Sequence, residues 1–284
     1  MFTDTHSHLY DEAFAGEEDL AVERAVKAGV TKMILPDIDS ASRDSMFALA
    51  QRHHGILFPC LGLHPTSIGK DWKAEMDAVM SLADSRKIWA IGEIGIDCYW
   101  SKEFLEEQME AFRLQLELAS KMSLPVIIHS RESTELILNT LKEYRHLGLR
   151  GVMHAYSGST ETYRELQKAG DWYIGIGGVV TYKKASIAET IKEIPLERIL
   201  LETDSPYLTP VPHRGKLIHS PHSGIHRHQK GDEHRRSCRH NHTERRKIIR
   251  NMTQQDRASL LLIYTGGTIG MKEDPVEQTL KPFD

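Results

Sequence analysis

Phe2-Thr3-Asp4-Thr5-His6-Ser7-His8-Leu9 is the stretch from which the rest of this 284-residue chain is read. Side chains two apart on an extended segment point the same way, so His6 and His8 stand together where a short first strand ends. Two imidazoles held that way are half of a metal site. An isolated His-x-His near a terminus is also a common surface feature, so the rest of the chain has to decide. Single His, Glu and Asp residues recur at the ends of other expected strands.

Outward from that stretch, short apolar runs alternate with amphipathic helical segments as far as Pro210, the pattern of a parallel α/β fold. The runs are Met1–Thr5, Lys32–Pro36, Leu57–Leu61, Ile88–Gly92, Pro125–His129, Gly151–His154, Trp172–Ile176 and Ile199–Glu202. Helical patterns lie between them at Leu20–Ala28, Ser42–His53, Asp71–Asp84, Phe104–Lys121, Ser133–Tyr144, Thr160–Ala169 and Ser186–Ile194. Eight such units predict a TIM (β/α)8 barrel near its lower size limit. There is no Gly-rich phosphate loop. Gly175, Gly177 and Gly178, late in the seventh run, read as close backbone approach at the barrel mouth rather than a dinucleotide fingerprint.

Barrel active sites lie at the C-terminal ends of the strands. Those ends carry His6 and His8 after strand one, His64 after strand three, Glu93 after strand four, His129 with Arg131 after strand five, His154 after strand six, and Asp204 after strand eight. Four imidazoles and two carboxylates suit two divalent cations bridged by one carboxylate and by a water or hydroxide. Glu93 is the expected bridge, with His6, His8 and Asp204 on one ion and His129 and His154 on the other. Nitrogen and oxygen ligands without thiolate admit Zn, Mn, Fe or Mg. A metal pair activates water for in-line displacement, so hydrolysis is the expected reaction, and Asp204 could take the nucleophile's proton. His64 and Arg131 bring further donors, and Arg suits phosphate oxygens, which favours a phosphate ester unless Arg131 pairs with Glu132. Tyr99 and Trp100 either stack on a base or pack as a lid. Lys183 and Lys184 either touch a DNA backbone or are solvated.

The net charge of −4 conceals a division. Residues 1–212 hold 22 Lys+Arg against 32 Asp+Glu, whereas 213–284 hold 14 against 8. An acidic body does not attract a polyanion by its overall field, so nucleic-acid chemistry there needs bound cations to reverse the local potential. No apolar run is long enough to span a bilayer, and the N-terminus has neither a basic start nor an apolar signal stretch, which predicts a cytoplasmic protein. Cys60, Cys98 and Cys238 are too scattered for a disulfide framework or a CxxC zinc site.

These residues also carry a resemblance. Thr5-His6-Ser7-His8, Gly62-Leu63-His64-Pro65, Ile91-Gly92-Glu93-Ile94-Gly95-Ile96-Asp97, Pro125-Val126-Ile127-Ile128-His129-Ser130-Arg131, His154-Ala155-Tyr156-Ser157-Gly158 and Leu201-Glu202-Thr203-Asp204-Ser205-Pro206-Tyr207 resemble, in order and spacing, the motif series of the TatD family of metal-dependent deoxyribonucleases. The resemblance implies an amidohydrolase-like TIM barrel with 3′–5′ exonuclease or other DNase activity on DNA, single-stranded ends in particular, and a need for Mg, Mn or Zn. It implies His6, His8, Glu93, His129, His154 and Asp204 as metal ligands, the six found from the strand ends. Catalytic roles are expected for Asp204, Glu93, His64 and Arg131, in a protein expected to be a monomer. An amide or lactone hydrolase on a small metabolite, or an inactive truncated form, are the alternatives.

The likeness stops near Lys216, so the barrel domain is expected to span 1–216 and to lack its closing helix. Residues 217–250 hold seven His and nine Lys+Arg with hardly any apolar periodicity, a composition that predicts disorder. Leu260-Leu261-Leu262-Ile263-Tyr264-Thr265-Gly266-Gly267-Thr268-Ile269-Gly270-Met271 then resembles the opening strand and Thr-containing loop of bacterial type I asparaginases. Too little chain remains beyond it for the rest of that catalytic apparatus. A frameshift joining two reading frames is the expectation for 217–284.

Overall fold

The apolar runs form eight parallel strands in the computed structural model, which describes residues 2–183 and 185–211 together with the backbone of Lys272–Glu273 and Leu280–Lys281. They are β1 Phe2–Asp4, β2 Val30–Leu35, β3 Leu57–Pro59, β4 Ile91–Asp97, β5 Val126–Arg131, β6 Arg150–Met153, β7 Asp171–Ile176 and β8 Ile199–Leu201. Pairing runs β1-β2-β3 and β4-β5-β6-β7-β8. A parallel bridge between Leu61 and Ile91 joins the two sheets at β3 and β4. The ring closes where Thr5 N donates to Leu201 O at 3.1 Å and Ser7 bridges Ser205. This is the expected TIM barrel.

Helices α1 Glu18–Lys27, α2 Ser40–Arg52, α3 Trp72–Ala83, α4 Leu105–Met122, α5 Thr134–Glu143 and α6 Thr160–Gln167 follow the first six strands in turn and lie where the sequence predicts them. In α4 the buried residues Ala111, Phe112, Gln115, Leu116 and Ala119 recur at helical spacing and form one stripe toward the sheet. Complete burial of Phe112 contributes about 1.5–3 kcal/mol. The expected helix at 186–194 is a correction: only Ile187–Thr190 is α-helical, and Ile191–Glu193 tightens into a 3-10 turn. Pro195 comes directly after Ile194 and restricts the backbone just before it.

The strand boundaries matter more for function. The sequence expects strand four at Ile88–Gly92, whereas β4 continues to Asp97, with a register irregularity between Ile91 and Ile94 against β5. Glu93 therefore lies inside the strand rather than after it. Side chains two apart share a face, so Ile127 lies below His129 and Val152 below His154 inside the barrel. Cys60, Ala90, Ile127 and Val152 pack together with Ile34, Tyr173 and Leu200 into an apolar layer inside the ring, a floor for what lies toward the C-terminal ends. The larger cores lie between sheet and helices.

No helix among the described residues is long and apolar enough to cross a membrane. Lys184, Cys238, the 217–284 segment, where the closing helix is expected to be lacking, and the asparaginase-like stretch Leu260–Met271 lie outside the residues whose placement is described, apart from the backbone of a two-residue antiparallel pair.

Candidate metal centre

Glu93 is the hub. Its carboxylate, almost wholly buried, lies 3.1 Å from His6 Nε2 and 3.8 Å from His8 Nε2 through Oε2. Oε1 lies 3.0 Å from His129 Nδ1, 3.6 Å from His64 Nε2 and 3.9 Å from His154 Nε2. Asp204 Oδ1 faces three of the same rings, at 3.4 Å from His8 Nε2 and 3.7 Å from the Nε2 atoms of His6 and His154. All six expected ligands thus meet at one end of the barrel. His6, His8 and Glu93 form one potential ligand group; His64, Glu93 and His129 form another.

Which nitrogen faces the centre is set by the partner on the other side of each ring. Tyr10 Oη donates its proton to Pro36 O, so at 3.0 Å it accepts from His8 Nδ1–H and leaves the lone pair of Nε2 inward. His129 Nε2–H donates to Asp97 Oδ2 at 2.8 Å, which turns Nδ1 toward Glu93 Oε1, 3.0 Å away, where it carries a proton in the metal-free site. His154 Nδ1 is 3.1 Å from Glu202 Oε2, and Glu202 Oε1 accepts from Ala155 N at 2.7 Å. Two rings, His8 and His129, are therefore held by hydrogen bonds to oxygens that keep the other nitrogen toward the centre, whereas His154 and Glu202 meet as an ion pair without hydrogen-bond geometry. His64 differs: its Nδ1 accepts from Thr66 N at 3.2 Å, so the proton sits on Nε2 and His64 presents an N–H, not a lone pair.

The electrostatics agree with a cation site. Burial alone would raise the Glu93 carboxyl, but His6, His64 and His154 outweigh it and hold Glu93 well below its usual range. Asp204 is likewise held down against burial by His154 and His8. Burial lowers His6 and His64. His129, despite burial, is pushed up to about 9 by its hydrogen bonds to Asp97 and Glu93, and His154 is raised by the charges of Glu202, Glu93 and Asp204. Nε2 of His6 and Nε2 of His8 approach to 3.0 Å, an N···N pair that needs a proton or a cation on the shared side. The donor set of nitrogens and carboxylate oxygens fits divalent metal.

Local structure explains these positions. Gly175 carries no side chain because a Cβ there would collide with the Glu202 carboxylate. Asp4, buried on β1, accepts from Thr203 Oγ1 at 2.7 Å, Thr203 N at 3.0 Å and His6 N at 3.2 Å, while Asp204 N donates to His6 O at 2.9 Å. The ligands from β1 and β8 are thereby tied across the seam. Asp37 does the same for Glu93: it donates N–H to Gly92 O at 2.9 Å and accepts Glu93 N–H at 3.0 Å. Its carboxylate takes Arg43 Nε at 2.6 Å and Gly62 N at 3.2 Å.

Arg131 is the exception among the expected site residues. No hydrogen bond or ion pair joins it to the ligands among the described residues; its guanidinium lies 3.6 Å over the Tyr99 ring instead of pairing with Glu132. Sequence reasoning misses the parts that Asp97, Glu202 and Tyr10 play. A signal for Asp97 exists, since Glu93, Gly95 and Asp97 share one face of a strand once β4 is followed to its end.

Residues 3–254 match the family described as TatD related DNase, past the boundary expected at 216. A metal-dependent hydrolase of uncharacterized role, YabD of Bacillus subtilis, is 36% identical over 217 residues, covering 76% of this chain and 84% of its own. The crystal structure of YjjV, a TatD homolog from Escherichia coli K12, superposes with a TM-score of 0.71 at 32% identity, over 76% of this chain and 83% of that one. A hydrolase of the TatD family from Entamoeba histolytica superposes at 0.63 with 27% identity, over 73% and 74%.

Proposed function

The chain belongs to the TatD related DNase family of metal-dependent hydrolases, and from that membership we propose that it cleaves phosphodiester bonds of DNA, as a 3′–5′ exonuclease on single-stranded ends. The observation that carries the proposal is the convergence of the His6, His8, His129 and His154 rings on the Glu93 and Asp204 carboxylates, with the His64 N–H beside them. His6, His8 and Asp204 would hold one ion, His129 and His154 a second, and Glu93 both. Two such ions, Mg, Mn or Zn, would supply an activated water and neutralise charge on the phosphate.

The chain's own groups do the rest. Asp204, which its imidazole neighbours keep ionised, would serve as the proton acceptor. His64 Nε2–H donates to a non-bridging phosphate oxygen. Arg131, stacked by its face on Tyr99, keeps the N–H edge of its guanidinium for a second phosphate contact. The acidic body makes the centre the local attraction for a polyanion. We take the working form to be a cytoplasmic monomer whose barrel, residues 1–216, is the catalytic unit. The 217–284 frameshift is a proposal about the gene: genomic sequencing that finds no alternative frame with a family-like continuation would remove it.

The test is digestion of 5′-labelled single-stranded DNA, with EDTA and with Mg or Mn restored. A shortening ladder that requires metal and disappears in His6→Ala supports the proposal. No digestion by soluble, metal-loaded protein refutes it and leaves the amide or lactone alternative; no digestion by protein that cannot be loaded points to the inactive form.

A further inference from the structure

Beyond the metal centre, the loop after β4 exposes two aromatic rings, with Trp100 70% and Tyr99 49% accessible. Large exposed aromatics cost solvation unless they meet a partner, and these two are not packed as a lid on the barrel. They are nonetheless held in place. Tyr99 N and Trp100 N both donate to Asp97 Oδ1, at 2.9 and 3.2 Å, while Asp97 Oδ2 accepts from His129. One carboxylate thus fixes a metal ligand with one oxygen and the aromatic loop with the other. The rings meet edge to face at 4.9 Å, and the Arg131 guanidinium lies 3.6 Å over Tyr99 and 5.3 Å from Trp100. The flat cation covers Tyr99 and supports the wall from which Trp100 projects.

We propose that Trp100, backed by Tyr99 and Arg131, is a stacking platform for an unpaired nucleobase next to the phosphate held at the metal centre. The inference rests on the phosphodiesterase reading and adds to it a subsite for one base. Three features select this occupant. Trp100 offers a broad π-face, which any base can use. Arg131 stacks by its face and leaves N–H donors for the flanking phosphate, the second element of a nucleotide. The platform is joined to His129 through a single residue, so base and scissile phosphate would sit within one nucleotide of each other. A base inside a duplex has both faces covered by neighbours, so the platform favours strands or ends already unstacked.

The opposite rim carries a further aromatic ring. In an eight-stranded ring β8 faces β4, and Tyr207, past β8, is half exposed with its hydroxyl on Asp11 Oδ2 at 2.6 Å. Its ring centroid is 5.9 Å from that of His8. An approaching strand therefore passes between Trp100 on one side and Tyr207 on the other.

The experiment compares a short single-stranded oligodeoxynucleotide with one of the same length carrying abasic tetrahydrofuran units at the 3′ end. Binding is read by fluorescence anisotropy of a 5′ label in Ca, and KM by cleavage in Mn. Wild type should bind the base-bearing strand about tenfold more tightly than the abasic one. Trp100→Ala should bring that ratio close to one, and Trp100→Phe should keep most of it. A ratio unchanged in Trp100→Ala, or absent in wild type, overturns the platform and makes the rings a surface feature of the loop. Base-dependent binding lost in Trp100→Ala, with no cleavage of either strand by metal-loaded wild type, sustains the platform and refutes the phosphodiesterase reading.

Discussion

Replacing Asp97 by Asn changes no volume and one charge, and it tests whether a single carboxylate orients the second metal ligand. In the native site Oδ2 accepts from His129 Nε2–H at 2.8 Å, and Oδ1 accepts from the backbone of Tyr99 and Trp100. An amide has one acceptor oxygen and one donor nitrogen, so it cannot serve both sides. If the nitrogen faces His129, Nε2 must accept and the ring proton moves to Nδ1, the atom that faces Glu93 and would hold metal. If the oxygen faces His129, the amide hydrogens oppose two backbone N–H groups, at a cost of about 1–3 kcal/mol for each one left unsatisfied. Either way the loss falls on the metal or on the loop. Removing such an orienting partner weakens metal affinity by about 10- to 100-fold, or roughly 1.4–2.7 kcal/mol. The assay is calorimetric titration of EDTA-stripped Asp97→Asn with Mn, beside DNA cleavage at limiting and saturating Mn. One class of sites should weaken by that factor, and part of the rate should return with excess metal. An isotherm identical to wild type would refute the argument that Asp97 selects the ring nitrogen.

Two further predictions concern protons and burial. In stripped protein His129 keeps its proton up to about pH 9, and a metal must displace it from Nδ1. Apparent metal affinity should therefore rise about tenfold per pH unit below 9 and flatten above it, and titration calorimetry giving the same affinity at about pH 6 and 8 would contradict this. The sign for stability is opposite. The pKa is raised from 6.5 to about 9 on folding, so this group's contribution to the stripped protein is present below 6.5 and is lost as pH climbs through 9. Arg43→Met should cost about 3–5 kcal/mol in urea unfolding, because it leaves the buried Asp37 carboxylate without the guanidinium 2.6 Å away. A loss below about 1 kcal/mol would mean that Asp37 is neutral in the fold, as its burial-driven rise toward about 7 would allow.

The convergence of the six candidate residues was legible because barrel topology puts the C-terminal ends of all strands at one rim, so separated residues could be placed together without any distance. The sequence hid what surrounds them for two physical reasons. The run Gly92-Glu93-Ile94-Gly95-Ile96-Asp97 is rich in residues with poor strand propensity, and it reads as a loop although it belongs to the longest strand among the described residues. Tertiary packing overrides that preference: Gly95 has a positive φ of 142° and lies so close to His129 O that no side chain fits. The orienting oxygens of Tyr10, Asp97 and Glu202, by contrast, acquire their roles only through contacts across strands, and a single sequence records no contact. Glycine gives a partial clue, since Gly175 signals close approach at the seventh strand without saying that Glu202 is what approaches.

What the carboxylates of Asp97, Glu202 and Asp4 share is a second partner. Asp97 binds His129 and the backbone of Tyr99 and Trp100; Glu202 lies against His154 and accepts Ala155 N–H; Asp4 accepts from both His6 and Thr203 backbones. Each carboxylate therefore couples a metal ligand to the chain that forms the rim beside it. A change in a rim loop should therefore be felt at the neighbouring candidate ligand, and the reverse. The rim and the candidate metal centre are in this sense joined, and substitutions at the rim should alter metal affinity even where they touch none of the candidate ligands.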